Sequence, residues 1–201
     1  MPFAFRRRRD RAKKKTQDKT KGQSEQVIKN GLDGRSLVFV GLMGAGKSAI
    51  GRRVGLRLDM PFCDADTEIE IAAGQKISDI FEVHGEQHFR DREEKVIERL
   101  LQENQMVLAT GGGAFMSEVT RSNIARSALS IWLRADLDIL MERVGRRDHR
   151  PLLQSDNPRE VMQKLIDQRY PVYEEADITI ESRDVSHETI VEEIIEALAC
   201  V

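Results

Sequence analysis

The eight residues Gly41-Leu42-Met43-Gly44-Ala45-Gly46-Lys47-Ser48 match the spacing G-x-x-x-x-G-K-[ST]. Glycines at 41, 44 and 46 open backbone angles closed to other residues, so successive main-chain N–H groups can face one anion. The lysine that follows supplies a point charge for β- and γ-phosphates, and the serine hydroxyl is an oxygen ligand for Mg²⁺. A helix starting near Lys47 adds the positive end of its dipole. The context matches as well as the letters: Ser36–Val40 is a short apolar run of strand type, and a helical pattern begins at Lys47. The expected chemistry is the binding of a nucleoside triphosphate.

Other residues acquire meaning beside that loop. Asp64 and Asp66 stand two apart after the apolar run 60–63. If the strand continues that far, both carboxylates project to one side and must share a cation or a donor. Mg²⁺ suits the carboxylate nearer the phosphates; the other can hold a substrate hydroxyl and accept its proton. The competing reading is an aspartate cap on a helix starting before Thr67. Arg90 has Glu93 at i+3 and Glu94 at i+4, a spacing that allows a carboxylate to hold the arginine and present it to an anion. Gly111-Gly112-Gly113 offers backbone N–H groups with no side chain in the way, or is simply a tight turn. Arg143, Arg146, Arg147 and Arg150 surround a polar stretch before Pro151, which reads as a mobile basic lid over phosphates or as a solvated loop. Arg169 is either a second anion contact or a favourable charge near a helix end.

These residues need elements to hold them. Apolar runs at 36–40, 60–63, 106–110, 129–133 and 177–180 read as strands. Helical patterns occupy the stretches between them: from Lys47, after Asp66 to Gly74, a short one over 77–81, from about His84 to Glu103, over 115–126, over 136–146, after Asn157-Pro158, and from Ser186. Pro171 is expected to bend or end its helix near Tyr170. Strands alternating with helices predict an α/β protein with a parallel sheet covered on both faces. Ligands in such sheets bind beyond the carboxyl ends of the strands. The glycine loop, the aspartate pair and the triple glycine all follow strands, so they should converge.

Composition narrows the class. The 201 residues are 40% hydrophobic and 33% charged, within the range of a soluble globular domain, and no apolar run reaches membrane-spanning length. Cys63 and Cys200 lack metal spacing, and the scattered His84, His88, His149 and His187 form no ligand motif, so no zinc site is expected. With no secretory signal, the expected location is the cytoplasm. Residues 1–21 hold ten Lys/Arg against Asp10 and Asp18, a net +8, which leaves −10 for the rest of the chain. Residues 1–32 therefore read as a basic, disordered extension, and 33–201 as the folded kinase domain with a lid at about 146–156. No base-reading aromatic element accompanies the charge, so no specific nucleic-acid partner is expected. No exposed apolar stripe is evident, so a monomer is expected.

In order and spacing, six blocks resemble the shikimate kinase family: 41–48, Phe62-Cys63-Asp64-Ala65-Asp66, Gly85-Glu86-Gln87-His88-Phe89-Arg90, Thr110-Gly111-Gly112-Gly113, Arg150-Pro151-Leu152-Leu153 and Arg169-Tyr170-Pro171-Val172-Tyr173. The resemblance runs from about Ser36 to Leu198. It implies a five-stranded parallel sheet of the nucleoside-monophosphate-kinase type with a mobile lid. The implied reaction is transfer of the γ-phosphoryl group of ATP to the 3-hydroxyl of shikimate, in aromatic amino-acid biosynthesis. By that pattern Gly44, Ala45, Gly46, Lys47, Ser48 and Ala49 wrap the phosphates, Arg150 closes over ATP, and Arg143 with the loop at Arg183-Asp184 flanks adenine. Ser48 binds Mg²⁺ directly and Asp64 through water. Asp66, Arg90, Gly112 and Arg169 hold shikimate. Lys47, Asp66 and Arg150 carry the catalysis. Ala49 stands where the family often has threonine, a mild departure because Ser48 supplies the hydroxyl. On fold alone, a kinase of gluconate or of a nucleoside monophosphate stays open.

Overall fold

The computed structural model describes residues 25–145 and 157–201. The basic stretch before residue 25 and the expected lid at 146–156, Arg150 included, lie outside the described residues.

Five strands, β1 (Ser36–Val40), β2 (Phe62–Asp64), β3 (Val107–Ala109), β4 (Ala128–Arg134) and β5 (Ile178–Glu181), form one sheet in the order β2-β3-β1-β4-β5. Every neighbouring pair is parallel. β1 lies at the centre, and all five of its residues are buried. A strand covered on both faces has no polar side to alternate, which is why it reads as a continuous apolar run. The order places β1 between β3 and β4, so the chain leaves β1 where the strand sequence reverses, the position at which such sheets open a crevice.

The helices are α1 (residues 25–31), α2 (Lys47–Arg57), α3 (Ala65–Ala73), α4 (Ile77–Glu103), α5 (Glu118–Ser127), α6 (Leu137–Gly145), α7 (Pro158–Tyr173) and α8 (His187–Leu198). α2 packs on α8, α4 on α3 and α5, and α6 on α7. The expected caps form: the side chains of Asn157 and Ser186 accept from the N–H groups of Glu160 and Thr189. Each satisfies a donor that the first helical turn leaves free.

Four local expectations are corrected. The fold begins earlier than Asp33, because residues 25–31 are helical and bury Ile28 and Leu32. Arg57 fastens this helix: its Nε donates to Glu25, while Nη1 and Nη2 reach Glu192 of α8 at 3.1 and 3.2 Å. Two buried apolar residues four apart in a polar stretch are too faint a pattern to read. The strand at 62 stops at Asp64 rather than running through Asp66, since Asp64 caps α3. α4 joins the short helix at 77 and the long one after 85 across a kink at Gly85 (φ 81°, ψ 172°), with Phe81 and Phe89 stacking over it, ring centroids 4.7 Å apart. α7 runs through Pro171 to Tyr173. The proline falls in the last turn, where it costs one backbone bond, and Tyr170 and Tyr173 both pack on Trp132.

Candidate active site

Three strand ends meet in one crevice. After β1 the loop 41–46 takes positive φ at Gly41, Gly44 and Gly46. Gly46 stands at the N-cap of α2, and no side chain caps that helix. Its first N–H groups are thus left for an external acceptor, the arrangement that binds phosphate. Lys47 Nζ donates to the carbonyls of Gly41 (2.7 Å) and Leu42 (3.1 Å), which holds the ammonium back over the loop.

A cavity of about 390 Å³ opens from this loop. Gly44 to Ala49 line one side, and Arg143, Ser182, Asp184, Val185 and His187 line the other. Arg143 is fixed by Ser182 Oγ at 2.7 Å and by the Arg183 carbonyl at 2.6 Å. Ser182 in turn donates to the carbonyl of Ala45 at 2.8 Å, tying β5 to the phosphate loop. The Arg183 side chain pairs with Glu193 instead, so its backbone rather than its guanidinium serves this wall. His187, the first residue of α8, lines the cavity although no sequence signal marked it. Burial, then Arg53 and Arg143, push its pKa below the usual histidine value.

Asp64 serves two purposes. Its Oδ1 accepts from the N–H of Asp66 at 3.1 Å as the cap of α3, and its Oδ2 accepts from Ser48 Oγ at 2.6 Å. The cap reading holds, and since the same carboxylate also faces Ser48, it does not displace the cation reading. Among the described residues no cluster of three or more His, Cys, Asp or Glu could hold a metal. A hydroxyl beside one carboxylate, open toward phosphates, still fits Mg²⁺, which binds through few protein oxygens and keeps waters and phosphate oxygens.

The triple glycine is where the remaining side chains converge. A Cβ on Gly111 would stand 2.5 Å from Glu93 Oε1 and 2.9 Å from Asp66 Oδ1. One on Gly113 would stand 2.5 Å from both Nη atoms of Arg90. One on Gly112 would stand 3.4 Å from Met43 N and 3.6 Å from Arg169 Nη1. At 111 and 113 a side chain is excluded because groups from α3 and α4 occupy the space, whereas at 112 a methyl would make ordinary contact with the phosphate loop and with Arg169 of α7.

Arg90 donates to Glu93 Oε2 at 2.6 Å and to Glu86 Oε1 at 3.1 Å. The other expected partner, Glu94, instead accepts from Ser117 Oγ at 2.6 Å. Burial works against the Arg90 charge, but Glu93 and Glu86 more than offset it and raise its pKa. Glu93 is 1% exposed, and its Oε1 has no hydrogen-bond partner among the described residues. Burial pushes its carboxyl above the usual range; Arg90 pulls the other way, and the nearby Asp66 carboxylate adds to the rise. Arg169 Nη1 donates to the Gly112 carbonyl at 2.6 Å, so it faces the crevice rather than solvent at a helix end. The Tyr173 hydroxyl donates to the same carbonyl. Asp66, Arg90, Gly112 and Arg169 are thus brought together at the mouth of the Lys47 loop.

A model of the shikimate kinase family matches residues 43–199. The chain is 59% identical over 174 residues to a shikimate kinase of Bradyrhizobium diazoefficiens, spanning 87% of this chain and 84% of that one. It is 56% identical over 174 residues to the shikimate kinase of Rhodopseudomonas palustris, over 87% and 86% of the two chains. Its fold is similar to that of the shikimate kinase from Acinetobacter baumannii in complex with shikimate: TM-score 0.81, 34% identity, 86% of this chain and 97% of that chain. A gluconokinase from Sinorhizobium meliloti shares only the fold, at 17% identity and a TM-score of 0.56.

Proposed function

The chain belongs to the shikimate kinase family, an ATP-dependent kinase that phosphorylates a hydroxyl of shikimate, and from that premise we propose how its own residues divide the work. The N–H groups of Gly44 to Ala49 and the start of α2 hold the β- and γ-phosphates, with Lys47 swinging from its carbonyl tethers to the transferring group. Arg143 and His187 flank the base. Ser48 and Asp64 would hold Mg²⁺, which would supply charge neutralisation on the phosphates. Arg90 and Arg169 face the carboxylate of shikimate, with Gly112 between them. Asp66 orients the 3-hydroxyl and takes its proton as the oxygen attacks the γ-phosphorus in line and the bond to ADP breaks. Arg150, the remaining expected phosphate contact, lies outside the described residues. No covalent intermediate on the protein is needed, so positioning and charge account for most of the rate.

The observation that supports this assignment is the company Gly112 keeps. Backbone of the nucleotide loop at Met43 and the Arg169 guanidinium, suited to an organic acid, both come within contact distance of it. A carboxylate-bearing acceptor held by Arg169 and Arg90 would therefore lie against the terminal phosphate. Two guanidinium groups suit an anionic acceptor. Among the described residues no helix is long and apolar enough to cross a membrane. Both cysteines are free, which supports the reading of an enzyme of a reducing compartment.

ADP release in the presence of ATP, Mg²⁺ and a panel of shikimate, gluconate and nucleoside monophosphates tests the acceptor. In the same assay Asp66→Asn is expected to keep its ATP affinity while kcat falls about 10²- to 10⁴-fold, the range for loss of a general base. Near-normal turnover would remove Asp66 from the proton transfer.

A further inference from the structure

We propose that Tyr173 is a positioning residue for the acceptor acid, acting through the Gly112 carbonyl and Arg169; this rests on the acceptor reading above. Tyr173 lies one helical turn beyond Arg169, so both side chains leave α7 on the same face. It is 1% exposed, and its ring packs against Phe115 and Trp132, with centroids 6.2 and 5.8 Å away. Its hydroxyl and Arg169 Nη1 both donate to the oxygen of Gly112. A carbonyl oxygen has two lone pairs, and here both are taken by groups from a single helix. The peptide after Gly112 therefore cannot rotate without breaking two buried bonds.

The tie works in both directions. It fixes the turn against which Arg90 and Asp66 rest. It also fixes Arg169, whose Nη1 is held by the Gly112 carbonyl, so that the guanidinium meets a carboxylate at a set angle. A phenylalanine at 173 fills the same space but leaves Arg169 as the only anchor of the carbonyl. Burial pushes the Tyr173 pKa up to about 12, so the hydroxyl remains a donor at every working pH.

Tyr170 is the internal control. It sits on the same helix and in the same aromatic cluster, 4.9 Å from Trp132 between centroids, but its hydroxyl donates to Ala135, away from the triple glycine. Each Tyr→Phe change deletes one hydrogen bond to a backbone carbonyl, so a purely structural role predicts the same kinetics for both.

The test is steady-state kinetics on the full-length Tyr173→Phe, Tyr170→Phe and Arg169→Ala proteins, with shikimate and ATP titrated separately and thermal melting run alongside. Tyr173→Phe is expected to raise the shikimate KM about tenfold with the ATP KM within about twofold, as loss of one oriented hydrogen bond implies. Tyr170→Phe is expected to lower the melting temperature similarly while leaving the shikimate KM unchanged. If Tyr173→Phe has a wild-type shikimate KM, or if both phenylalanine variants raise it equally, the proposal is overturned. Arg169→Ala separates the two readings. If it leaves the shikimate KM unchanged, the acceptor assignment itself falls; if it raises the KM while Tyr173→Phe does not, only the role of Tyr173 falls.

Discussion

Replacing Gly113 by alanine adds one methyl group to the acceptor site without straining the backbone. Gly113 has φ −108° and ψ −13°, which alanine adopts freely. The new Cβ would stand 2.5 Å from Nη1 and Nη2 of Arg90 and 2.6 Å from its Cζ. Comfortable contact needs about 3.5 Å, so the guanidinium must retreat by about 1 Å. It can do so because it is the far end of a flexible side chain, and the Glu93 pair at 2.6 Å is stretched rather than lost. The melting temperature should fall by no more than about 4 °C, equivalent to about 1 kcal/mol in a chain of this size. Binding is less forgiving. A charge-assisted hydrogen bond contributes about 1.5–3 kcal/mol, which at 1.4 kcal/mol per decade is an increase of about 10- to 150-fold in the shikimate KM. The ATP KM should move less than about twofold, because the phosphate loop touches Gly112 rather than Gly113. ADP release with shikimate titrated at saturating ATP, and the reverse titration, measures both. An unchanged shikimate KM, or an equal rise in both constants, would refute the placement of Arg90 in the acceptor site.

Asp64→Asn keeps a good helix cap but removes the charge beside Ser48. It is expected to melt near the wild-type temperature while kcat falls about 100-fold, with the Mg²⁺ requirement of turnover shifted to higher concentration. A chain beginning at residue 33 loses the burial of Ile28 and Leu32 and the Glu25 partner of Arg57. Compared with one beginning at residue 25, it should be less stable to urea by about 3–6 kcal/mol, from about 1.5–3 kcal/mol for each apolar side chain. Burial first, and Glu68 next, push the Cys63 thiol up to about 11. At pH 8 only about one molecule in a thousand carries the thiolate there. A maleimide should therefore label the exposed Cys200 and spare Cys63, with Cys63 labelling appearing only as the pH rises toward its pKa.

Local rules sufficed wherever the signal was local. The loop at 41–48 announces itself because a phosphate cradle needs glycines and a lysine at fixed offsets along one stretch of chain. The buried strand β1 and the caps at Asn157 and Ser186 are equally short-range features. Arg90 and Glu93 could be paired from helical spacing alone, and the structure keeps that pair at 2.6 Å. The family, too, was legible in the order of six short blocks.

What no stretch of sequence contained is the company each residue keeps. Helix α1 was missed because the burial of Ile28 and of the adjoining Leu32 exists only once the core is assembled, and its ionic tie runs through Arg57 of α2, which also reaches Glu192 of α8. Glu94 and Glu93 are equivalent as partners for Arg90 on helical geometry. Only the docking of Ser117 beside α4 assigns Glu94 elsewhere. Asp64 and Asp66 are the same residue type two positions apart, and it is the turn into α3 that makes one a cap beside Ser48 and sends the other toward Gly111. The three glycines show the division most clearly. From sequence they are a tight turn or a run of N–H donors; in three dimensions Gly111 and Gly113 are small because Glu93, Asp66 and Arg90 fill the places their Cβ atoms would take. Spacing along a chain specifies which groups share a helix or strand, whereas distances between elements arise from sheet order and packing, and those belong to the whole molecule.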